Sequence, residues 1–145
     1  MKYSELKRLK AFCEGLASMP DWREVVSELT SNCNDNFEVD GVRWISDDTI
    51  EDVLVDELSS DTYILGCFSD WLLADVTGWD VNLIKAIQES GKFESLGNNM
   101  SNAQIRKLAQ EYARLDGYGH HFNGYDFSEE EIKINDTDWH VFDNR

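Results

Sequence analysis

Basic residues are scarce in this chain, which has 13 lysines and arginines against 29 aspartates and glutamates and a formal charge of −16 at pH 7. Contacts to phosphate groups require lysine or arginine, so this shortage argues against direct binding to nucleic acid or to anionic lipid. Proline occurs once and glycine nine times, which excludes collagen-like and low-complexity chains. Because the chain is so acidic, its binding partner is expected to be basic.

Long apolar runs and paired cysteines are also missing. No stretch reaches the roughly 18 uninterrupted apolar residues that a membrane-spanning helix needs, and no apolar segment follows the charged residues 1–8, so a signal peptide is not expected. The three cysteines, Cys13, Cys33 and Cys67, fit neither a disulfide framework nor a CxxC site. We interpret Cys13 and Cys67 as packed in the core, and we expect a cytoplasmic protein without membrane contact.

The chain contains enough apolar residues to fold. Hydrophobic residues make up 41% of its 145 positions and include five tryptophans, which is too many for a disordered acidic tail. At this length one compact domain over residues 1–145 is the default expectation. The periodicity and turn patterns of the chain predict a mainly helical α+β domain with one small antiparallel sheet.

Helical periodicity and capping patterns occur in several segments. Residues 4–17 place their apolar side chains on one stripe, whereas residues 62–76 are apolar on nearly all sides, which predicts a central buried helix. Asp80 is a candidate N-cap, and Ser101 with Gln104 forms a capping-box pattern.

Two segments predict β-hairpins. Residues 37–45 alternate around Asp40-Gly41, a pair that supplies the positive φ angles of a type I′ turn. Strands at residues 130–134 and 139–142 are expected on either side of a polar turn at residues 135–138. These hairpins, near 37–45 and 130–142, form the predicted sheet.

The negative charge is concentrated in one part of the chain. Residues 36–80 contain twelve acidic residues and one basic residue, and no base lies between Arg43 and Lys85 to offset their repulsion. We predict that this segment binds the partner through its carboxylates, which are Glu38, Asp40, Asp47, Asp48, Glu51, Asp52, Asp56, Glu57, Asp61, Asp70 and Asp75.

Three of these residues, Asp48, Asp52 and Asp56, are spaced for one face of a helix, where carboxylates lie about 5–6 Å apart at Cβ. A solvated acidic face is one interpretation. The other is a surface complementary to a basic groove that normally holds DNA, whose strands present one charge per roughly 3.4 Å. Exposed tryptophans would then supply apolar anchors, with Trp44, Trp79 and Trp139 as the candidates.

Residues 116–126 form a loop-like segment with three glycines and adjacent histidines. His120 and His121 with Asp126 could form a metal or acid–base site, while a purely structural loop is the alternative. No P-loop, GxSxG or HExxH motif occurs, so we expect no enzyme activity, no catalytic residue and no cofactor.

The segment 116–126, together with residues 63–68, resembles sequence in small uncharacterised acidic proteins of phages and other mobile elements. The resemblance covers about a fifth of the chain and implies, at the level of class, an analogy to anti-restriction and anti-CRISPR inhibitors that mimic DNA. It assigns no residue a role.

These observations predict an acidic inhibitor that occupies the nucleic-acid-binding surface of a basic protein or effector complex. Two alternatives remain open at this point. One is a metal-dependent or histidine-based enzyme that uses residues 116–126, and the other is an oligomeric accessory protein.

Overall fold

The computed structural model describes residues 1–145 and contains nine helices, which make up 55% of the chain, and a four-stranded antiparallel sheet. This confirms the mainly helical α+β class. None of the helices is long and apolar enough to cross a membrane. The helices are α1 (Tyr3–Gly15), α2 (Trp22–Thr30), α3 (Ile50–Ser59), α4 (Thr62–Gly66), α5 (Asp70–Thr77), α6 (Val81–Glu89), α7 (Phe93–Asn98), α8 (Asn102–Asp116) and α9 (Tyr118–Phe122). The strands are β1 (Asn36–Val39), β2 (Val42–Ser46), β3 (Glu130–Ile134) and β4 (Thr137–Asp143).

The contacts within the chain divide it into two compact units. The sheet unit consists of residues 1–50 and 116–145, and the helical unit consists of residues 51–115. The prediction of one compact domain over residues 1–145 stays a prediction.

The sheet has the strand order β1-β2-β4-β3 and contains both predicted hairpins. Asp40 and Gly41 have φ angles of +52° and +80°, as the type I′ turn requires. The second turn is shorter than predicted, because only Asn135 and Asp136 lie between the strands, with φ angles of +49° and +66°. Strand β4 consequently begins at Thr137 rather than at residue 139.

One face of the sheet packs against helices α1 and α2. Its core contains Trp44 and Trp139 from the sheet with Leu9 and Cys13 from α1, and all four are buried. Cys13 is fully buried, which confirms that it is a core residue, and burial disfavours its thiolate and raises its pKa to about 12. Two of the three predicted tryptophan anchors, Trp44 and Trp139, are therefore unavailable to a partner.

The opposite face of the sheet contacts α9, which lies in the segment predicted to be a loop. The rings of Phe122 and Phe142 lie 5.2 Å apart. Asn123 follows α9 and is fully buried, and its amide donates to Asp126 Oδ1 at 2.8 Å and to the Ser128 carbonyl at 2.9 Å. Asn123 and Asp126 thus have hydrogen-bonding partners within this segment, as the structural interpretation of the segment expects.

In the helical unit, the single helix predicted for residues 62–76 is wrong, because α4 and α5 are separated at residues 67–69. The break frees backbone carbonyls, and the side chain of Gln88 donates to those of Gly66 at 2.9 Å and Phe68 at 2.8 Å. Cys67, predicted to be a core residue, is exposed, and Trp71 has 57% of its surface exposed.

The two predicted capping patterns are confirmed. Asp80 Oδ1 accepts from the backbone N–H groups of Asn82 and Leu83 at the start of α6. At the start of α8, the Ser101 N–H donates to the Gln104 side chain at 2.9 Å, and the Gln104 N–H donates to Ser101 Oγ at 3.2 Å. Such caps depend on residues at most three positions apart.

Helices α4 and α7 approach closely through two glycines. A Cβ atom built on Gly66 would lie 1.9 Å from the carbonyl oxygen of Phe93, and one built on Gly97 would lie 2.1 Å from that of Thr62. The end of each helix therefore lies at the start of the other, in an antiparallel arrangement. No side chain fits between the two backbones.

We expect Gly66→Ala or Gly97→Ala to lower the free energy of unfolding by more than about 3 kcal/mol, because rigid backbone must move to admit a methyl group. Gly15→Ala in α1 is the control, since nothing lies within 4 Å of its Cβ. That variant should change stability by no more than about 1 kcal/mol. Urea denaturation measures all three, and equal effects would contradict the close approach.

Candidate functional site

The acidic segment 36–80 is divided between the two units. Glu38, Asp40, Asp47 and Asp48 lie in the sheet unit, and the remaining predicted carboxylates lie in the helical unit.

Helix α3 carries the acidic side chains that were predicted to share one helical face. It begins at Ile50, so Asp48 lies in the turn before the helix, whereas Asp52 and Asp56 are one helical turn apart and exposed. The predicted row of three carboxylates is wrong in this respect, since only two of them belong to the helix.

Bases from outside the acidic segment offset part of its charge. Arg106 on α8 binds Glu51 at 2.7 Å and Asp52 at 2.8 Å, and Lys85 on α6 lies 3.8 Å from Asp70. The expectation that no base offsets this charge is wrong, because the compensating bases come from helices later in the chain. The pairs are partly exposed, so each contributes little to stability.

Other predicted carboxylates bind backbone groups. Asp61 caps α4 by accepting from the N–H of Ile64 at 3.1 Å, and Asp40 accepts from the N–H of Asp21 at 2.9 Å. These side chains have local structural roles that the charge count did not separate from partner binding.

Four predicted carboxylates, on Glu38, Asp48, Asp56 and Asp75, are exposed and make no hydrogen bond or close ion pair within the chain, although Asp75 attracts Arg114 electrostatically and helps to raise the pKa of that arginine. The carboxyl group of Glu57 is half-buried and has an internal interaction. Asp75 lies one turn after the exposed Trp71 on α5, so both side chains occupy one helical face. The helical unit therefore presents solvated carboxylates together with an exposed aromatic ring.

The sheet unit contains a second polar cluster, centred on His140 of β4. Glu131 lies directly opposite His140 on β3, and Ile45 lies directly opposite it on β2, so these three side chains share a face. Glu129 lies just before β3 and Asp47 just after β2, and both side chains are hydrogen bonded to His140. Sheet register therefore brings three carboxylates to one histidine.

The contacts of His140 involve both ring nitrogens. Its Nε2 lies 2.8 Å from Asp47 Oδ1, its Nδ1 is hydrogen bonded to Glu129 Oε1, and Glu131 Oε1 lies 3.8 Å from the same Nδ1. Asp47 is held in place by its backbone N–H, which donates to the carbonyl of Asp138 at 2.8 Å. The edge of the Tyr118 ring packs against the imidazole at 5.3 Å between ring centres.

The protonation of His140 follows from these contacts. Burial lowers the pKa of His140, because it disfavours the charged ring, but the hydrogen bonds to Glu129 and Asp47 outweigh burial and raise the pKa to about 9. The ring is 7% exposed. In the absence of another cation, His140 is thus a buried imidazolium held by carboxylates.

The residues that could hold a metal ion are Glu129, Glu131 and His140, whose ligand atoms all lie within 4.8 Å of one another. His120, His121 and Asp126, the predicted alternative, do not form such a group. His120 stacks on Phe127 with ring centres 5.0 Å apart, and Asp126 accepts from Ser128 and Asn123. Glu129 and Glu131 were not among the predicted site residues, because they lie outside both segments for which a site was predicted, residues 36–80 and residues 116–126.

No protein-family model, curated protein or solved structure matches the chain in comparisons with known proteins. The two sets of carboxylates that bear on its function are the solvated set on α3 and α5 and the set that contacts the buried His140.

We expect stability to depend on pH through His140. A group whose pKa is raised by folding stabilises the fold fully below its unfolded pKa of about 6.5, and this contribution is lost as the pH rises through about 9. The free energy of unfolding should fall by up to about 3 kcal/mol over this interval. Urea denaturation at several pH values, with EDTA present, measures the change.

His140→Gln should remove this pH dependence, whereas His120→Gln, at an exposed position, should retain it. The prediction fails if the stability of the His140→Gln variant falls between pH 6.5 and 9 as steeply as that of the unchanged chain.

Proposed function

We propose that this chain is an acidic protein-binding inhibitor that occupies the basic, nucleic-acid-binding surface of another protein. The observation that carries the proposal is the exposed Asp75, one helical turn after the exposed Trp71 on α5, in a unit that also carries the exposed Asp56 on α3. Asp52, one turn before Asp56 on α3, is 67% exposed but is paired with Arg106, so it adds less to the field outside the chain.

Carboxylates that form no ion pair within the chain are the ones that attract a basic binding partner. An ion pair within the chain cancels most of the field of both groups, whereas a solvated carboxylate contributes its whole charge to the surroundings. The helical unit retains a net negative charge, since it contains eleven acidic and five basic residues. Opposite charge on a partner would accelerate the encounter.

The exposed tryptophan supports a protein partner over a merely solvated acidic face. Solvation requires only charge, but Trp71 places a large apolar ring in water beside Asp75. Tryptophan is the residue type most often found at the energetic centre of protein interfaces. Trp71 takes the anchoring role for which Trp44, Trp79 and Trp139 were the predicted candidates, of which Trp79 is half-buried.

A partner that binds nucleic acid is the best chemical match. Such a protein presents lysine and arginine at the spacing of phosphates, and carboxylates one helical turn apart on a rigid helix can occupy the same groove. The chain would then compete with DNA, in the manner of anti-restriction and anti-CRISPR inhibitors. It would itself bind neither nucleic acid nor membrane.

We expect immobilised protein to capture nucleic-acid-binding proteins from a lysate of its native cells at low salt, and to release them in 500 mM salt or on addition of duplex DNA. Asp56→Lys with Asp75→Lys should reduce the capture by on the order of tenfold, because two attractive charges become repulsive. Quantitative mass spectrometry of the eluates measures the effect.

The matched control is Glu89→Lys with Glu94→Lys, two exposed positions of the same unit that lie outside the acidic segment. This control changes the net charge equally and should retain capture to within about twofold. The proposal is wrong if the control loses as much as the test variant, or if duplex DNA releases nothing. A purified partner should also release labelled duplex DNA when the chain is added.

A further inference from the structure

We propose that His140, Glu129 and Glu131 form a binding site for a divalent transition-metal ion, for which Zn²⁺ is the best match. The ligand atoms would be His140 Nδ1 and one carboxylate oxygen from each glutamate. The site lies in the sheet unit and is independent of the function proposed above, which rests on the helical unit.

The geometry requires movements of both glutamate side chains: the partly buried Glu129 gives up its hydrogen bond to Nδ1, and the exposed Glu131 approaches. Tetrahedral zinc has bonds of about 2.0–2.2 Å to nitrogen and oxygen, so its ligand atoms lie about 3.4 Å apart. Glu131 Oε1 lies 3.8 Å from Nδ1, and the Glu131 side chain, which is 70% exposed, is free to adjust. The ion takes the place of the Nδ1 proton, which is released to solvent.

The other ring nitrogen of His140 is already arranged as in metal sites. A metal-binding histidine almost always donates its second ring N–H to a carboxylate or a carbonyl, and this contact orients the ring. Asp47 Oδ1 lies 2.8 Å from Nε2 and fulfils that role, because it accepts from Nε2–H and leaves Nδ1 for the ion. Asp47 is fixed in turn by its backbone bond to Asp138.

The charge of the cluster also calls for a cation. Three carboxylates, on Asp47, Glu129 and Glu131, surround one imidazole, so a negative excess remains even when the ring is protonated. A divalent ion offsets more of this charge than a proton does. An imidazole ligand favours zinc and its neighbours over Mg²⁺ and Ca²⁺, which prefer oxygen ligands only.

Side chains of β3 point alternately to its two faces, so the residue next to the proposed ligand Glu131 provides a matched control. Glu131 lies opposite His140, whereas Glu130 lies opposite Val141 and points to the other face of the strand. Both are exposed, so Glu131→Gln and Glu130→Gln remove the same charge from the same strand and leave the fold intact.

We expect isothermal titration with ZnCl₂ to show one ion bound per chain and thermal unfolding to shift upward in its presence. Glu131→Gln should weaken zinc binding at least tenfold and reduce the thermal shift, while Glu130→Gln should leave both unchanged. MgCl₂ should produce no comparable shift. Co²⁺ in place of Zn²⁺ should give visible absorption that Glu131→Gln diminishes.

The variant His120→Gln with His121→Gln tests the other histidines as the source of binding. It should bind zinc like the unchanged chain. The proposal is overturned if that variant loses the ion, if Glu131→Gln binds as tightly as Glu130→Gln, or if ZnCl₂ produces neither heat nor a thermal shift.

Discussion

Strand β4 has neighbours on both sides, and its two-residue period decides where the interior side chains of the sheet unit lie. Trp139 and Val141 face the core with α1 and α2, while His140 and Phe142 face the side on which α9 packs. If the pairing of β4 shifted by one residue, the two pairs of side chains would exchange faces. The imidazole of His140 would then lie in an apolar core, away from the carboxylates that hydrogen bond to it. The two-residue turn at 135–136 prevents that shift, because it fixes which residues of β3 and β4 are opposite.

The charge of the chain has several origins that a count of residues cannot separate. Some carboxylates are structural, as when Asp61 and Asp80 cap helices or when Glu51 binds Arg106. Others lie on edge strands, such as Glu38 on β1, where a charged side chain discourages pairing with a second molecule. The remaining carboxylates, among them Asp56, have no such structural role within the chain.

The parts of this fold that were predictable are those set by near neighbours in the chain. The turn at Asp40-Gly41 and the cap at Asp80 depend on residues a few positions apart, and both were predicted. The separation of α4 from α5 depends on Gln88 and on the approach of Phe93 to Gly66, which no local pattern contains. The His140 cluster was predictable in part. A two-residue turn at 135–136 places Glu131 opposite His140, but Asp47 is brought close to His140 only by the pairing of β2 with β4, which no local pattern indicates.

The solvated carboxylates and those around His140 differ in the range of their electrostatic interactions and in how much side-chain movement those interactions tolerate. Asp56 and Asp75 lie in water, where their field extends about 8 Å at physiological salt and depends little on side-chain conformation. A surface of this kind can be altered without cost to the fold and suits recognition by charge. The carboxylates around His140 act on a buried ring at contact distance, where a small displacement removes the interaction. Recognition there depends on geometry, which is why a single ion of fixed coordination fits the cluster better than an extended partner does.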